Sequence, residues 1–441
     1  MNIIMMETII NHRPIMERKS KNPMVTCFGI FLVLITACYI YLFYNLTKLE
    51  GSIRDKNASL LSDQHDVLSV ATGVGEDTIK WEWDVVHIVN TRFMQNQADF
   101  PVLAEARILL FKTFCLPTMI NQTSQKFLWL IKVDPNLERK VKLKLVELLR
   151  PYPNFYLIGS NTNFLSGDHS PPGAWRGGLE ADEVLSNNIY CGDLELLRGA
   201  KAAEDTKIVL ETRLDADDGL NIKFVEEIQK SANHHLRKKR EVDVDEIAQK
   251  RVKWRYWCIQ SHIRWYAEAD KHGSYDRGAV NPVDHEYFCV TPGLTVGFAV
   301  GTEYNAVMQK SHDILFKSVW NQGDCGVGRG KNCIEMMSRI GIGAIRTRTP
   351  TSAGMMHIVP EYQISRKQSD NLWGTLLRHF FITENEAKAT NNFVNSNINK
   401  IALENAKGQC TRGHSCKLSS KETLLRLSEV DKYQKILKKI V

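Results

Sequence analysis

The segment KIVLETRLDADDG at residues 207–219 constrains the fold most, because an apolar strand closes on three carboxylates just ahead of a glycine and a helical run. On a strand that continued through them, Asp215 and Asp217 would share one face and Asp218 would point away, since side chains alternate with period two. Two carboxylates on one face can hold a hard divalent cation with open positions, and Mg2+ or Mn2+ typically fills those positions with substrate phosphate oxygens. A sugar-nucleotide transferase needs that arrangement. The plainer alternative is a solvated strand-to-helix turn with Asp218 beside a helix N-terminus, which accounts for one acid and leaves two.

The surrounding pattern gives the fold class. Residues 83–90, 126–134 and 154–159 read as buried strands, while 101–119 and 137–149 have helical spacing. A loop rich in Ser, Pro and Gly occupies 160–176, and a helix around 193–203 precedes the carboxylate-bearing strand. Strands alternating with helices imply an α/β fold with a parallel sheet, whose ligands bind at the carboxyl ends of the strands. Thr91, Arg92, Phe93, Asp134 and residues 215–218 all fall at those ends. Polar residues at three strand ends on one rim argue for a nucleotide cleft.

Later segments add less. The alternation in WRYWCI at 254–259 reads as a core strand in preference to a sugar-stacking platform. The run CVTPGLTVGFAV at 289–300 reads as strands bent by glycine beside the donor sugar, where backbone must approach a ligand. Residues 383–400 are rich in Asn and read as a loose connection, and 422–441 have helical periodicity.

Composition fits an anchored enzyme. The chain has 441 residues, 43% apolar and 24% charged, which allows a large core and excludes wholesale disorder. A net charge of +7 is diffuse apart from residues 237–240 and C-terminal Lys pairs, so it does not mark a nucleic-acid binder. Residues 24–44 carry no charge and reach roughly 31 Å as a helix, the thickness of a bilayer core. Arg13, Arg18, Lys19 and Lys21 precede that run, and Tyr39, Tyr41 and Tyr44 sit at its far end as an interfacial belt. The expected layout is a cytosolic tail at 1–23, a single-pass type II anchor at 24–44 and a luminal stem at 45–80. A catalytic domain at 81–365 and a C-terminal tail with a helical segment at 366–441 follow, in the Golgi or ER membrane. A cleaved signal peptide is the competing reading. Asn57 and Asn121 open glycosylation triplets that suit a luminal side. Eight cysteines lie on that side: Cys115, Cys191, Cys258, Cys289, Cys325, Cys333, Cys410 and Cys416. Their even number permits disulfides, and the short loop between Cys410 and Cys416 makes that pair the easiest to propose.

Five motifs in order carry a family resemblance. VNTRF at 89–93, RILLFKTF at 107–114 with Leu116 and Pro117, and NQT at 121–123 with FLWL at 127–130 are the first three; TRLDADDG at 212–219 and TPTSAG at 349–354 complete the set. Together they resemble the family named "putative rhamnosyltransferases", a mainly bacterial group of GT-A-type glycosyltransferases, over roughly 83–360. The resemblance implies a Rossmann-like nucleotide-sugar domain, a DxD metal site and a nucleotide-sugar donor. The anchor, the Gly- and Pro-rich insertion before Glu180 and the tail depart from the bacterial pattern.

The implied reaction assigns roles. A cation bridging the donor phosphates would stabilise the leaving group, with Asp217 as first ligand, Asp215 sharing the metal or reaching the ribose, and His357 completing the shell. Thr91, Arg92, Asp134, Arg213 and Asp215 are the candidate nucleotide contacts. An inverting transferase also needs a carboxylate for the acceptor proton; Asp324 is the candidate and Glu335 its rival. The expected cofactor is Mn2+ or Mg2+, and the expected partners are a nucleotide sugar, a glycan or other acceptor, and the membrane. A tethered, catalytically inactive sugar-binding or scaffold protein on the same fold is the alternative.

Overall fold

The computed structural model describes residues 81–160, 188–237, 252–267, 276–326, 330–351 and 364–411, all within one compact unit, Ile79–Val441. The expected anchor at 24–44, the stem, residues 161–187, His357, Cys416 and residues 422–441 lie outside the described residues. Among the described residues no helix is long and apolar enough to cross a membrane.

The chain opens as the pattern predicts. Strand β1 (Val85–Phe93) is buried along almost its whole length, as a central strand covered on both faces must be. Helix α1 (Pro101–Leu110) starts on a proline at its first turn, where a missing N–H costs nothing. It passes through one π-helical turn (Phe111–Cys115) into α2 (Leu116–Ile120); Pro117, which has no N–H to donate, follows the wider turn. Strand β2 (Leu128–Val133), helix α3 (Arg139–Leu149) and strand β3 (Phe155–Gly159) come next, with Val141, Leu145, Val146 and Leu149 as the buried stripe of α3. After β4 (Ile189–Cys191), helix α4 (Leu194–Ala203) is capped by Asp193, whose carboxylate accepts from the N–H groups of Glu195 and Leu196. Strands β5 (Ile208–Arg213) and β6 (Gly219–Leu220) flank the carboxylates, and α5 (Phe224–Leu236) follows.

The second half builds β7 (Trp254–Tyr266), β8 (Ala279–Asp284), β9 (Leu294–Phe298), helix α6 (His312–Gln322) and β10 (Ile334–Arg348). The ten strands lie in one sheet of order β4-β3-β2-β1-β5-β9-β7-β10-β6, with β8 beside β7. Strands β1, β2, β3 and β5 are mutually parallel, and β9 is antiparallel to both β5 and β7. Strand β10 is parallel to β7, so the carboxyl ends of β1, β2, β3, β5, β7 and β10 point one way. Side-chain parity sorts the core into two layers. Val89, Phe93, Trp129, Leu210 and Trp257 face one layer; Ile88, Leu130, Val209, Tyr256 and Val296 face the other, together with Leu197 of α4 and Leu315 and Val319 of α6. Trp254, Trp257 and Trp265 are buried, so WRYWCI is core.

Two expectations need correction. The glycines of β9 serve packing: Gly293 has φ +76°, and a Cβ there would lie 2.3 Å from Ile259 Cδ1, while one at Gly297 would lie 2.7 Å from the Trp257 ring. Residues 383–400 are not a loose connection. Helices α7 (Arg366–Phe380), α8 (Glu384–Ser396) and α9 (Ile398–Thr411) pack against the sheet domain. Thr383 caps α8 through the N–H of Glu386, and buried Ala387, Thr390, Asn391 and Val394 line its inner face. The Asn-rich composition hides this because Asn391 is buried for its hydrogen bond to the Asp276 carbonyl and Asn405 for its bond to that of Pro350. Among the described residues, disulfides join Cys258 to Cys289 and Cys325 to Cys333; the pair Cys410 and Cys416 lies outside what the structure describes.

Closing a loop 31 residues apart restricts the unfolded chain, so removing the first disulfide by a Cys258→Ala/Cys289→Ala double substitution should cost about 3–4 kcal/mol. Chemical denaturation of the double variant against wild type measures that loss.

Candidate active site

The carboxylates do not sit on a continuing strand. Strand β5 ends at Arg213, and a turn closed by the Asp218 N–H to the Asp215 carbonyl (3.0 Å) carries residues 215–218. Asp215 and Asp217 are brought together by that turn, which replaces the strand alternation the sequence suggested. Asp218 does point away. It is buried, its Oδ1 accepts from the Thr347 N–H of β10 at 2.9 Å, and its Oδ2 lies 4.0 Å from Arg346 Nε.

Charge is crowded here. Burial and then Asp215 push the Asp217 carboxyl above its ordinary value, against the pull of Arg107; burial and then Asp217 push Asp218 well above its own. The buried thiol of Cys115 is raised by burial and by all three acids. Asp215 pairs loosely with Arg213 at 3.8 Å and keeps about a third of its side chain exposed. Asp217 Oδ2 accepts from the Thr351 hydroxyl at 3.4 Å.

These atoms suit a hard divalent cation. Asp215 and Asp217 offer oxygen donors that repel each other until a cation joins them, while Asp218 is committed to β10. Among the described residues no three His, Cys, Asp or Glu side chains form a group that could hold a metal ion. His357, the expected third ligand, lies outside the described residues.

Strand parity sorts the other candidates. Thr91 faces the helix-covered layer: it is fully buried and its hydroxyl accepts from Trp129 Nε1 at 2.8 Å, so it is a core residue and no nucleotide contact. Its neighbours Asn90 and Arg92 face the other side, with Arg213 and Lys132 as their cross-strand partners. Asn90 is buried, and among the described residues its Oδ1 meets no hydrogen-bond partner. Asp134 follows β2 on the same rim; its Oδ1 accepts from the Asn136 N–H at 2.8 Å, and it raises the hydroxyl of Tyr190, after burial. Tyr190 lies over Gly159, where a Cβ would come within 2.5 Å of its hydroxyl.

Asp324 and Glu335 are not brought to this site. Asp324 adjoins the Cys325–Cys333 bridge at the amino ends of β7 and β10 and accepts from the Gly326 N–H. Glu335 pairs across from Trp257, whereas Arg346 pairs across from Arg264, a separation of roughly 23 Å along the strand. Its carboxylate is held by Arg255 at 2.8 Å on the side where α5 packs. Chain order placed both acids near the cleft; strand length removed them.

Three residues went unread in the sequence. Arg107 is buried, donates to the Thr351 carbonyl at 3.0 Å and draws the Asp217 carboxyl downward. His312 opens α6; burial, then Arg213 and Arg346, lower its imidazole to about 4, and Asp215 opposes them. Arg346 faces Asp218. The signal available was the alternation Arg346, Arg348 just before the TPTSAG motif, which places both side chains on one face.

Two substitutions separate the faces of β1. Thr91→Val should cost about 1–3 kcal/mol by orphaning the Trp129 indole N–H, with nucleotide affinity unchanged, whereas Asn90→Ala should weaken nucleotide binding and leave melting nearly unchanged. Thermal melts and nucleotide titrations on both variants check this.

Comparison with known proteins agrees with the motifs in one region. The model of the family described as "Putative rhamnosyl transferase" matches residues 101–163, from α1 through β3, including Asp134 and stopping short of the carboxylate turn. No curated protein matches the chain. Among solved structures, a crystal structure of S. aureus TarS 1–349 is 10% identical, with 80% of this chain and 90% of that one covered and a TM-score of 0.25. Another crystal structure of S. aureus TarS is 12% identical over 67% of this chain and 43% of that one, again with a TM-score of 0.25. Structural likeness that low carries no argument. The family match bears out the resemblance read from the motifs and, with it, the glycosyltransferase class.

Proposed function

We propose that the protein is a GT-A-type glycosyltransferase that moves a sugar from a nucleotide-sugar donor to a hydroxyl of a glycan or other acceptor, with Mn2+ or Mg2+ held by Asp215 and Asp217. The observation that carries this reading is the pair of mutually repelling carboxylates at the carboxyl rim of a parallel sheet whose adjoining face is cationic. An anionic donor answers both features at once: its diphosphate completes a cation's shell and meets the guanidinium groups.

Each residue then has a task. Asp134 and Tyr190, at the β2 and β4 end of the rim, border the nucleoside, and the unsatisfied Asn90 Oδ1 accepts from a ribose or base donor. Arg92 and Arg213 face the diphosphate. A bound cation supplies Lewis acidity toward the leaving diphosphate. Asp218 binds no metal; its bond to the Thr347 N–H fixes the turn.

Membrane placement belongs to the same proposal. A retained anchor at 24–44 would put the described domain in the lumen of the Golgi or ER, and two disulfides suit that oxidising compartment.

Asp217→Asn keeps the side chain's size and removes its charge, so Mn2+-dependent donor hydrolysis should fall roughly a hundredfold or more. The same variant should lose the rise in melting temperature that Mn2+ gives wild type, since only the paired carboxylates gain from the cation. Asp218→Asn keeps the Oδ1 acceptor and should spare the Mn2+ shift, whereas Asp218→Ala should lower the melting temperature by leaving the Thr347 N–H without that acceptor. Full activity in the presence of chelator would sink the metal assignment.

A further inference from the structure

Past the carboxylate turn, β7 and β10 continue side by side and gather three guanidinium groups that the proposed donor site does not use. Arg264 and Arg346 are direct partners across the ladder, and Arg348, two residues on, stands on the same face. His262, two residues before Arg264, shares that face. It is fully buried and stacked on His285 with ring centroids 5.0 Å apart, and among the described residues neither of its ring nitrogens meets a hydrogen-bond partner. The Nε atoms of Arg264 and Arg348 meet none either.

Charge on this face is not balanced. Among the described residues, the acids acting on it are Asp218, 4.0 Å from Arg346 Nε, and Asp284 beside His285. Burial, then Arg346 and Arg264, lower the Arg348 guanidinium to about 10. The imidazole of His262 is held neutral by burial and by all three arginines. Buried donors without acceptors and like charges side by side cost free energy, and a fold that keeps both is prepared for an anion.

The donor half of the cleft has its own cations, Arg92, Lys132 and Arg213, so a diphosphate there needs no help from β7 and β10. The geometry points to an oxyanion-binding subsite formed by Arg264, Arg348 and His262 on the acceptor side, which takes the carboxylate, phosphate or sulfate of an acidic acceptor. Two guanidinium forks match such groups by paired N–H donation, and His262 adds a neutral donor beneath them. This assignment rests on the transferase reading and adds to it the acceptor's charge.

Sulfate is the probe. The full-length protein in detergent is titrated calorimetrically with sodium sulfate, alone and after saturation with Mn2+ and UDP, GDP or dTDP in turn. Sulfate should bind in both states, and Arg264→Gln/Arg348→Gln should weaken it roughly tenfold or more. The same variant should keep nucleotide affinity within about twofold, since the two sites share no side chain. Displacement of sulfate by a nucleotide would give these arginines to the donor diphosphate and overturn the acceptor subsite. Absence of sulfate binding in wild type, or equal binding by the double variant, would overturn it as well. Should the double variant melt early, Arg348→Gln alone decides. Failure of the transferase reading shows separately, as wild type that neither binds any of the nucleotides nor hydrolyses a donor while sulfate still binds.

Discussion

The hydrogen bond from the Thr347 N–H to Asp218 holds the carboxylate turn to the second half of the sheet. Without it, three acids within four residues would have no reason to stay together beside β10, since their mutual repulsion favours opening the turn. Strand β6 continues the tie, pairing Gly219 and Leu220 with Ile345 and Ala344. The Asp215 and Asp217 pair is therefore positioned by chain on both sides, from β5 before it and β10 beside it. Asp218 is committed to this bond, and its buried carboxyl is the cost of the geometry.

One face of the sheet collects the cations. In a parallel ladder the cross-strand partners share a side, so Asn90 with Arg213, Arg92 with Lys132, and Arg264 with Arg346 fix a row of polar groups by register alone. The opposite face takes Thr91, Trp129 and Trp257 into the core. Toward the amino ends the polar face is covered by α4 and α6; toward the carboxyl ends it is given to the cleft. A single sheet thus divides packing from chemistry by residue parity across the strands and by position along them.

Much of this was legible in the sequence. Four strands and three helices between 83 and 213 follow from apolar runs and helical spacing, and the turn of acids follows from three carboxylates after a strand. What was not legible had physical causes. Thr91 and Asn90 differ by one residue, and no local pattern says which of two buried neighbours faces a cleft. Asp324 and Glu335 sit near the cleft in chain order, yet β7 and β10 run thirteen and fifteen residues, long enough to carry the two acids away. Helices α8 and α9 hide behind asparagines that are buried because backbone carbonyls satisfy them. The arginines of β7 and β10 lie 82 positions apart and meet only through a parallel ladder.

Arg107 joins the beginning of the domain to its end. Its guanidinium donates to the Thr351 carbonyl and reaches Asn405 on α9, partners 244 and 298 positions away, and it steadies the charge of Asp217. A nascent chain emerging from the ribosome can fold β1 to β5 long before α9 exists, as N-terminal segments do. Until then Arg107, already present on α1, lacks two of the partners that hold its guanidinium. The full set of bonds that fixes this guanidinium near Asp217 therefore waits for α9 to be made, although α1 is among the first elements of the domain.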